Sequence, residues 1–416
     1  MNRIFETYDV VVLGGGASGV AAAVAAAQNG AKTALVERGS YLGGKATAAY
    51  VGTICGAYFR SENQTPKFVA GGFLKTFVTN LQVASGSETV KNKEGLQFLP
   101  YQKSAFKLLA DQLIQDNKID LFLHSNVYYA ERQENKITKI AFTNYDKSLE
   151  LKASTFIDCT GDAILIDLLK LDHIRSDSYQ TSTQVFCLHG LEGESIDTFK
   201  MSMIRTLQKG MQNDGLTKAA RRLSIMPGSS DLGQLHFKLS IPFEITDKTN
   251  QMTELALYAR GLVQKIFDYL KKENKNFAKA KINHIEDEVG IRTGKRHLGK
   301  KVLTKTEVLG AKKHADSIAR GAWPIEYWSM DSKPRMEYFD FEDYYDIPVG
   351  CLCSATLDNL YFAGRNLSAD DDAIASARVI GTCLQTGFAA GILASDIING
   401  MSESDSKLKV QKKLEF

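Results

Sequence analysis

Apolar and polar positions alternate along the chain in a way that divides it into strands and helices. Val10–Leu13 is an unbroken apolar run, as expected of a parallel strand covered on both faces. An alanine- and valine-rich stretch from about Ala17 to Asn29 predicts a helix, with Gly30 placed to stop it, and Lys32–Val36 predicts a second strand. Tyr101–Asn117 carries Phe106, Leu109, Leu113 and Ile114 at helical spacing. Short alternating segments follow at Ile119–Leu123, Val127–Arg132, Lys136–Thr143 and Leu149–Ala153, separated by turn signals, and predict a three-stranded meander. Thr155–Asp162 reads as a further strand that ends in a glycine turn. In the middle, Thr183–His189 and Gln234–Pro242 are strand-like, and a helix is predicted from about Gln251 to Asn274. Near the end, Asn359–Arg365 predicts a strand ending at Gly364, and Ala373–Gly400 predicts one small-residue helix. The polar tail, Met401 to Phe416, is expected to be loosely held.

At 416 residues the chain exceeds one typical core, so two domains or one divided domain are expected. The 51 basic and 48 acidic residues nearly balance, which gives no ground for a nucleic-acid or anionic-membrane partner. None of the six cysteines forms a CxxC pair, so a zinc ribbon, a thioredoxin-like dithiol and a local iron–sulfur run lack their ligands. Buried thiols in a reducing cytosol are expected instead, Cys55 among them. Asp9 and the glycine turn interrupt the first apolar run, and no apolar stretch reaches the ~20 residues of a membrane span. A soluble, cytoplasmic protein is the expectation.

The chemistry begins at Gly14, Gly16 and Gly19, a GxGxxG set directly after the first strand. The first glycine makes the tight turn, the second lets backbone approach a pyrophosphate, and the third lets helix and strand pack closely. Ala17 and Ser18 open the helix, whose amides face the phosphates. Glu37, followed by Arg38, ends the second strand, where an acid accepts from a ribose diol and disfavours a 2′-phosphate. This fingerprint allows NAD or FAD. A glycine doublet, Gly43–Gly44, then makes the chain resemble the FAD-dependent oxidoreductases related to glutathione reductase and fumarate reductase. The resemblance implies FAD and an α/β fold: a Rossmann-like domain with a meander crossover and an inserted α+β substrate domain. It places Lys45, Ala46 and Thr47 along the flavin and has Val127 hold the adenine through its backbone. Thr160–Gly161–Asp162 resembles the Ala-Thr-Gly motif of these proteins with Cys159 for alanine; Asp162 also suits a helix N-cap.

Glu286–Leu309 resembles a motif of the FAD-dependent oxidoreductase family, with Arg292 and Arg296 matching its arginines, Lys295 a conservative change and His297 in place of an aliphatic residue. Four residues apart, the two arginines would share a face of a helix and suit an anionic substrate. Salt bridges to Glu286, Asp287 or Glu288 are the equal alternative. Ala315–Trp328 matches the next family segment. At the end, Gly364–Arg365 resembles the family's Ala-Gly-Arg strand, and Ala377, Arg378 and Val379 fall in its S-x-R-V-x-G-T-C pattern. The helix there is expected to aim its amides at the flavin, where negative charge collects on reduction. Asp371 stands where relatives have histidine, so the chain either uses Asp371 for acid–base work or does other chemistry.

From Leu171 to Phe339 no second glycine fingerprint occurs, which excludes the pyridine-nucleotide disulfide reductases. The expected organisation is a discontinuous FAD domain, 1–170 with 340–416, and a substrate domain at 171–339. The expected activity is hydride transfer between a small, possibly anionic, organic molecule and flavin N5. Arg292 and Arg296 would serve as anchors, with His297 or Asp371 as the acid–base group. Alternatives are an NAD(P)H-dependent flavin monooxygenase and a redox subunit serving a protein partner. The oligomeric state stays open between monomer and homodimer.

Overall fold

The computed structural model describes residues 4–176, 179–229, 233–246, 250–329 and 334–416. Strand β1 (Ile4–Leu13) runs into helix α1 (Ala17–Gln28) and back through β2 (Thr33–Val36). Val10 to Leu13 are fully buried because both faces are covered: Val10 and Val12 join the core under α1, while Val11 and Leu13 join the core on the other side. Helices α2 (Gly72–Ser85) and α3 (Lys103–Asp116) follow, the second matching the predicted amphipathic stretch. Next come β3 (Asp120–Phe122), β4 (Ser125–Gln133), β5 (Lys136–Asn144) and β6 (Lys147–Asp158).

The predicted segment 149–153 and the first part of the predicted 155–162 are thus one strand, β6, which ends at Asp158 and is the centre of the sheet. It pairs in parallel with β1 along its length, from Leu149 opposite Ile4 to Asp158 opposite Leu13. Antiparallel pairing with β5 and of β5 with β4 forms the meander. The remaining alternating segment, β3, lies apart from it and pairs in parallel with β2 at the far edge.

The middle region builds a second sheet. Its elements are β7 (Ser182–His189), α4 (Ile196–Asn213), β8 (Leu223–Ile225), β9 (Gln234–Ile241), α5 (Gln251–Glu273) and β10 (Lys281–Ile285). The strands run antiparallel in the order β8-β9-β7-β10. Two-residue alternation sends Leu235, Phe237, Leu239 and Ile241 into a core with α4 and α5, leaving Lys238 and Ser240 on the opposite face. This core reaches from Phe186 to Val289 and is narrower than the expected 171–339 unit. Leu303, Val308, Ile318 and Ile325 instead share the core of α1.

The chain then returns to the first sheet. Strand β11 (Leu360–Phe362) pairs in parallel with the end of β6, on the edge that β5 leaves free. The small-residue segment after it is not one helix. It breaks at Arg378–Val379 into α6 (Asp371–Ala377) and α7 (Ile380–Ile398), bent by 94°. Two tertiary contacts impose the break: the amide of Gly381 donates to Cys55 O at 2.9 Å, and Ser376 bonds Tyr345 Oη at 2.7 Å. Neither leaves a trace in local composition.

Helix α7 lies directly against α1. A Cβ on Gly387 would stand 2.1 Å from Ser18 O, and one on Gly391 would stand 2.2 Å from Ala22 O. Two glycines four apart therefore meet two small residues four apart, ridge against groove. The tail is also ordered, as α8 (Glu403–Lys413). Ser402 caps it, Val410 and Leu414 are fully buried, and Lys409 pairs at 2.7 Å with the buried carboxylate of Asp396. The expectation of a loose end fails because Val410 and Leu414, one turn apart, make an apolar stripe that the charged residues mask. Among the described residues no single helix is long and apolar enough to cross a membrane.

Candidate functional site

A cavity of about 690 Å³ lies between the glycine turn and the open face of the second sheet. At one end its wall is the β1–α1 turn. Gly14 has φ of +89°, and a Cβ there would stand 2.7 Å from both Cys159 O and Thr160 Cα, so only glycine lets the turn meet the β6 loop. Gly16 bridges Gly43, and the Gly43 amide donates to Gly15 O at 2.8 Å. The floor here is bare backbone: a Cβ on Gly16 would find no atom nearer than 4.0 Å, in an open trough beside the start of α1. Gly43, Gly44, Lys45 and Ala46 form its side, and Ala17, Ser18, Thr160 and Gly161 close it.

Glu37 accepts from the amides of Gly15 and Gly39 at 2.6 Å each, which fixes its carboxylate at the cavity edge beside Arg38. Each oxygen keeps a lone pair for a hydroxyl donor. Lys45 pairs with Glu288 at 2.5 Å and Arg38 reaches the same carboxylate at 3.6 Å. Burial lowers the Lys45 pKa, against the opposing pull of Glu288. Arg365 pairs with Asp162 at 3.3 Å and donates to Ile291 O at 3.0 Å.

The other end is built by the second sheet, the segment after it and the start of α7. Trp323 and Trp328, the chain's two tryptophans, both donate to Glu326, each at 2.9 Å. Arg292 lies over the Trp328 ring at 4.7 Å and donates to Thr181 O. Burial, then the neighbouring Arg378, brings the Arg292 guanidinium down to about 9. Arg378 donates to Gln180 Oε1 and Glu326 O at 3.3 Å each. Arg222, Lys238, Val379 and Ile380 complete this end with Cys55, whose thiol burial pushes up to about 12. Such a thiol is protonated at neutral pH and is no nucleophile.

Several expected site residues stand behind this wall. Gly19 packs under the turn, where a Cβ would strike Gly14 O at 1.8 Å; Gly364 packs on the Ser18 side chain, where a Cβ would stand 2.5 Å from its Oγ. Thr47 Oγ1 donates to Leu42 O at 2.8 Å, Ala377 is buried in α6, and Val127 is buried in the β4 side of the core. Asp162 meets the site through its ion pair with Arg365 and does not cap the next helix, which starts after Ala163.

Arg296, His297 and Asp371 are corrections. The segment 286–295 is not helical, so Arg292 and Arg296 share no helix face. Arg292 reaches the cavity; Arg296 is fully buried elsewhere, on Asp371 at 2.5 Å, Ser176 Oγ at 2.9 Å and Ala369 O at 2.9 Å. Asp371 is thereby an arginine's partner outside the cavity wall. His297 stacks on Phe362 with centroids 4.6 Å apart and meets Asp158 at 2.9 Å, away from the cavity. The alternative of salt bridges to residues 286–288 also fails. Those acids serve Lys103, Tyr41 and Lys45.

Sequence reasoning missed Asp158, Lys238, Glu326 and the tryptophan pair. Asp158 ends β6 and organises the loop after it: its Oδ1 accepts from the Thr160 amide at 3.0 Å, Thr160 Oγ1 at 2.7 Å and Asn366 Nδ2 at 2.8 Å. Lys238 was readable in principle, since Gln234–Ile241 alternates and its polar positions must face something other than the helices.

The family model for FAD dependent oxidoreductases matches residues 9–411. No curated protein matches the sequence. Among solved structures, OxyS anhydrotetracycline hydroxylase from Streptomyces rimosus superposes with a TM-score of 0.50 at 11% identity, covering 97% of this chain and 65% of that one. BexE, titled for oxidation during BE-7585A biosynthesis, gives 0.52 at 10% identity, with 97% and 65% covered. A geranylgeranyl bacteriochlorophyll reductase-like protein from Thermoplasma acidophilum gives 0.48 at 13%, with 98% and 83% covered. The likeness to the first two is one of fold, and the chain spans just under two thirds of their length. FAD fits the residues present: a bare glycine trough at a helix start, an oriented carboxylate beside it, and an elongated cavity leading away from both.

Proposed function

The chain belongs to the FAD-dependent oxidoreductase family, and from that premise we propose that it passes a hydride between flavin N5 and a small anionic organic molecule. The observation that carries this reading is the composition of the cavity beyond the glycine trough. There Arg292 faces inward beside Trp328, with the start of α7 in the same wall. Bound FAD supplies the two-electron acceptor or donor; the chain supplies position, charge and exclusion of water.

In this reading the turn Gly14–Gly16 and the first residues of α1 take the pyrophosphate, and Glu37 takes the ribose diol. Gly43 to Ala46, Thr160 and Gly161 line the path of the dinucleotide, with Arg365, Arg378 and Val379 nearer the flavin. Arg292 holds the substrate's anionic group. Leu96, Phe98, Trp323 and Met336 give that end an apolar wall, which strengthens the charge contact by keeping water out. Lys45 serves as a fixed positive charge beside the cofactor. The FAD-binding body takes in both ends of the chain, and the second sheet with α4 and α5 forms the insert that covers the substrate.

The test is anaerobic bleaching of the visible flavin band in the FAD-loaded protein by a panel of small acids, amines and alcohols. Reduction by an organic acid, lost in Arg292→Ala, is the expected result. Bleaching by NADPH with no organic substrate present would replace this reading with the monooxygenase one.

A further inference from the structure

The end of the cavity away from the glycine trough carries more positive charge than a single anchoring arginine requires. Arg222, Lys238, Arg292 and Arg378 all line it, and Glu326 is the one carboxylate lining that end among the described residues. Among the described residues Glu326 makes no side-chain ion pair with Lys238, Arg292 or Arg378. Its two oxygens accept from the two indoles, and only its backbone carbonyl meets Arg378. At the trough end the charges are matched differently, with Lys45 and Arg38 on Glu288 and Arg365 on Asp162.

Lys238 is the informative residue. Strand register puts it opposite Val185 on β7 and Ser224 on β8, so the same sheet face presents Thr183, Val185, Ser224, Lys238 and Ser240 to the cavity. Among the described residues the Lys238 ammonium has no hydrogen-bond or ion-pair partner. Thr183 Oγ1, on the neighbouring strand, is buried and also lacks a partner, as does Arg378 Nε. Burial lowers the Lys238 pKa, and burial with the neighbouring Arg378 lowers that of Arg292, although Glu326 pulls both the other way. Buried cations and hydroxyls without partners are costly in a finished fold, and a ligand that supplies the missing acceptors removes that cost.

We propose that this end of the cavity is a site for a doubly negative small molecule, with Lys238 and Thr183 holding one anionic group and Arg292 the other. The proposal rests on the hydride-transfer reading only for the statement that this molecule is the substrate; the dianion site itself stands on Lys238 and its neighbours. Two separate grips on one molecule also fix its orientation, which a single arginine cannot do. Specificity follows from the same groups: a neutral or singly charged analogue leaves the half-buried Lys238 ammonium without an anionic partner.

The chain's own tryptophans report on binding, because both stand in this wall. FAD-loaded protein is titrated with glutarate, valerate and valeramide, which share a five-carbon skeleton and differ in charge. Tryptophan fluorescence and the shape of the flavin band are followed. Glutarate is expected to bind at least tenfold more tightly than valerate, and valeramide not at all in the same range. Lys238→Met, with FAD retention showing that it folds, is expected to lose at least tenfold in glutarate affinity and less than threefold in valerate affinity. Thr183→Val is expected to lose a smaller part in the same direction. Equal affinity for glutarate and valerate, or unchanged glutarate affinity in Lys238→Met, overturns the proposal. If glutarate binds as expected while no organic acid bleaches the flavin, the dianion site stands and the hydride-transfer reading falls. If a singly charged acid bleaches the flavin and glutarate binds no better than valerate, the reverse holds.

Discussion

Asp158 and His297 meet at 2.9 Å with 0% and 2% of their surfaces exposed, at the end of the strand that runs through the centre of the main sheet. Burial alone would raise the Asp158 pKa, but the His297 contact and the Thr160 hydrogen bonds leave it lowered. This pair holds the Thr160–Gly161 loop against the glycine turn, so its effect on the cofactor is one of positioning. Asp158→Asn should release FAD more readily, seen as a lower FAD-to-protein ratio after gel filtration and a lower Tm. Because the carboxyl is depressed in the folded state, its stabilisation is present above the unfolded-state pKa and is lost as pH falls through the folded one. The Tm difference between the wild-type protein and the variant should therefore shrink on acidification.

Arg292 and Arg296 separate in mutagenesis. Arg292→Ala should leave FAD bound and weaken an anionic substrate by about 2 kcal/mol, roughly thirtyfold, read from the substrate dependence of flavin bleaching. Arg296→Ala should instead lower Tm, at a cost of about 1–3 kcal/mol, because it strips Asp371 and Ser176 of a fully buried partner. Unchanged substrate affinity in Arg292→Ala removes it as an anchor.

Gly387→Ala tests the contact between α1 and α7. The new methyl group would stand 2.1 Å from Ser18 O, and the obstacle is backbone, which cannot swing away. A loss of about 1–3 kcal/mol is expected by thermal or denaturant unfolding. Gly400→Ala, where a Cβ meets nothing within 4 Å but φ is +70°, should cost less.

Glu307 caps the short 305–309 helix with Thr304 and pairs with Lys301 at 3.0 Å and Lys312 at 3.3 Å. Burial would raise its pKa, yet the lysines and the Thr304 amide hold it down at about 2 against an ordinary 4.5. The stabilisation is complete above the ordinary value and fades as pH falls toward about 2. Glu307→Gln should lower stability at neutral pH by on the order of 2 kcal/mol, and the gap should close across that acid window.

Deleting residues 402–416 should destabilise the protein rather than trim a loose end. The deletion removes the buried Val410 and Leu414 and leaves the Asp396 carboxylate, itself fully buried, without Lys409. Failure of the truncated chain to retain FAD, or a fall in Tm of several degrees, is the expected result.

The parts of the fold legible in sequence are those in which one residue answers to one local demand. Gly14 must turn with positive φ, Gly16 must leave a trough open, and Glu37 must end a strand; each is written at its own position. The break at Arg378 was not legible, because it depends on Gly381 meeting Cys55 and Ser376 meeting Tyr345, both far away in the chain. Arg292 and Arg296 look equivalent in a motif, and only the path of a non-helical segment sends one into the cavity and the other to Asp371. The tail helix was hidden by its charge. Lys238 shows the intermediate case: alternation predicts which face it takes, but not that a cavity lies there.

Helix α7 and strand β11 complete a sheet and a helix pair begun by the first residues of the chain, with Asn29 bonding Ser395 across 366 positions. At about 5–20 residues per second, roughly 20–70 s of synthesis separates the glycine turn from the helix that packs on it. For that interval the alanine face of α1 has no native neighbour, and the cofactor trough lacks the wall that Val379 supplies. Flavin capture is therefore expected only once α7 has been made. A ribosome stalled before residue 360 should carry a nascent chain that takes up no FAD, whatever the state of its first 160 residues.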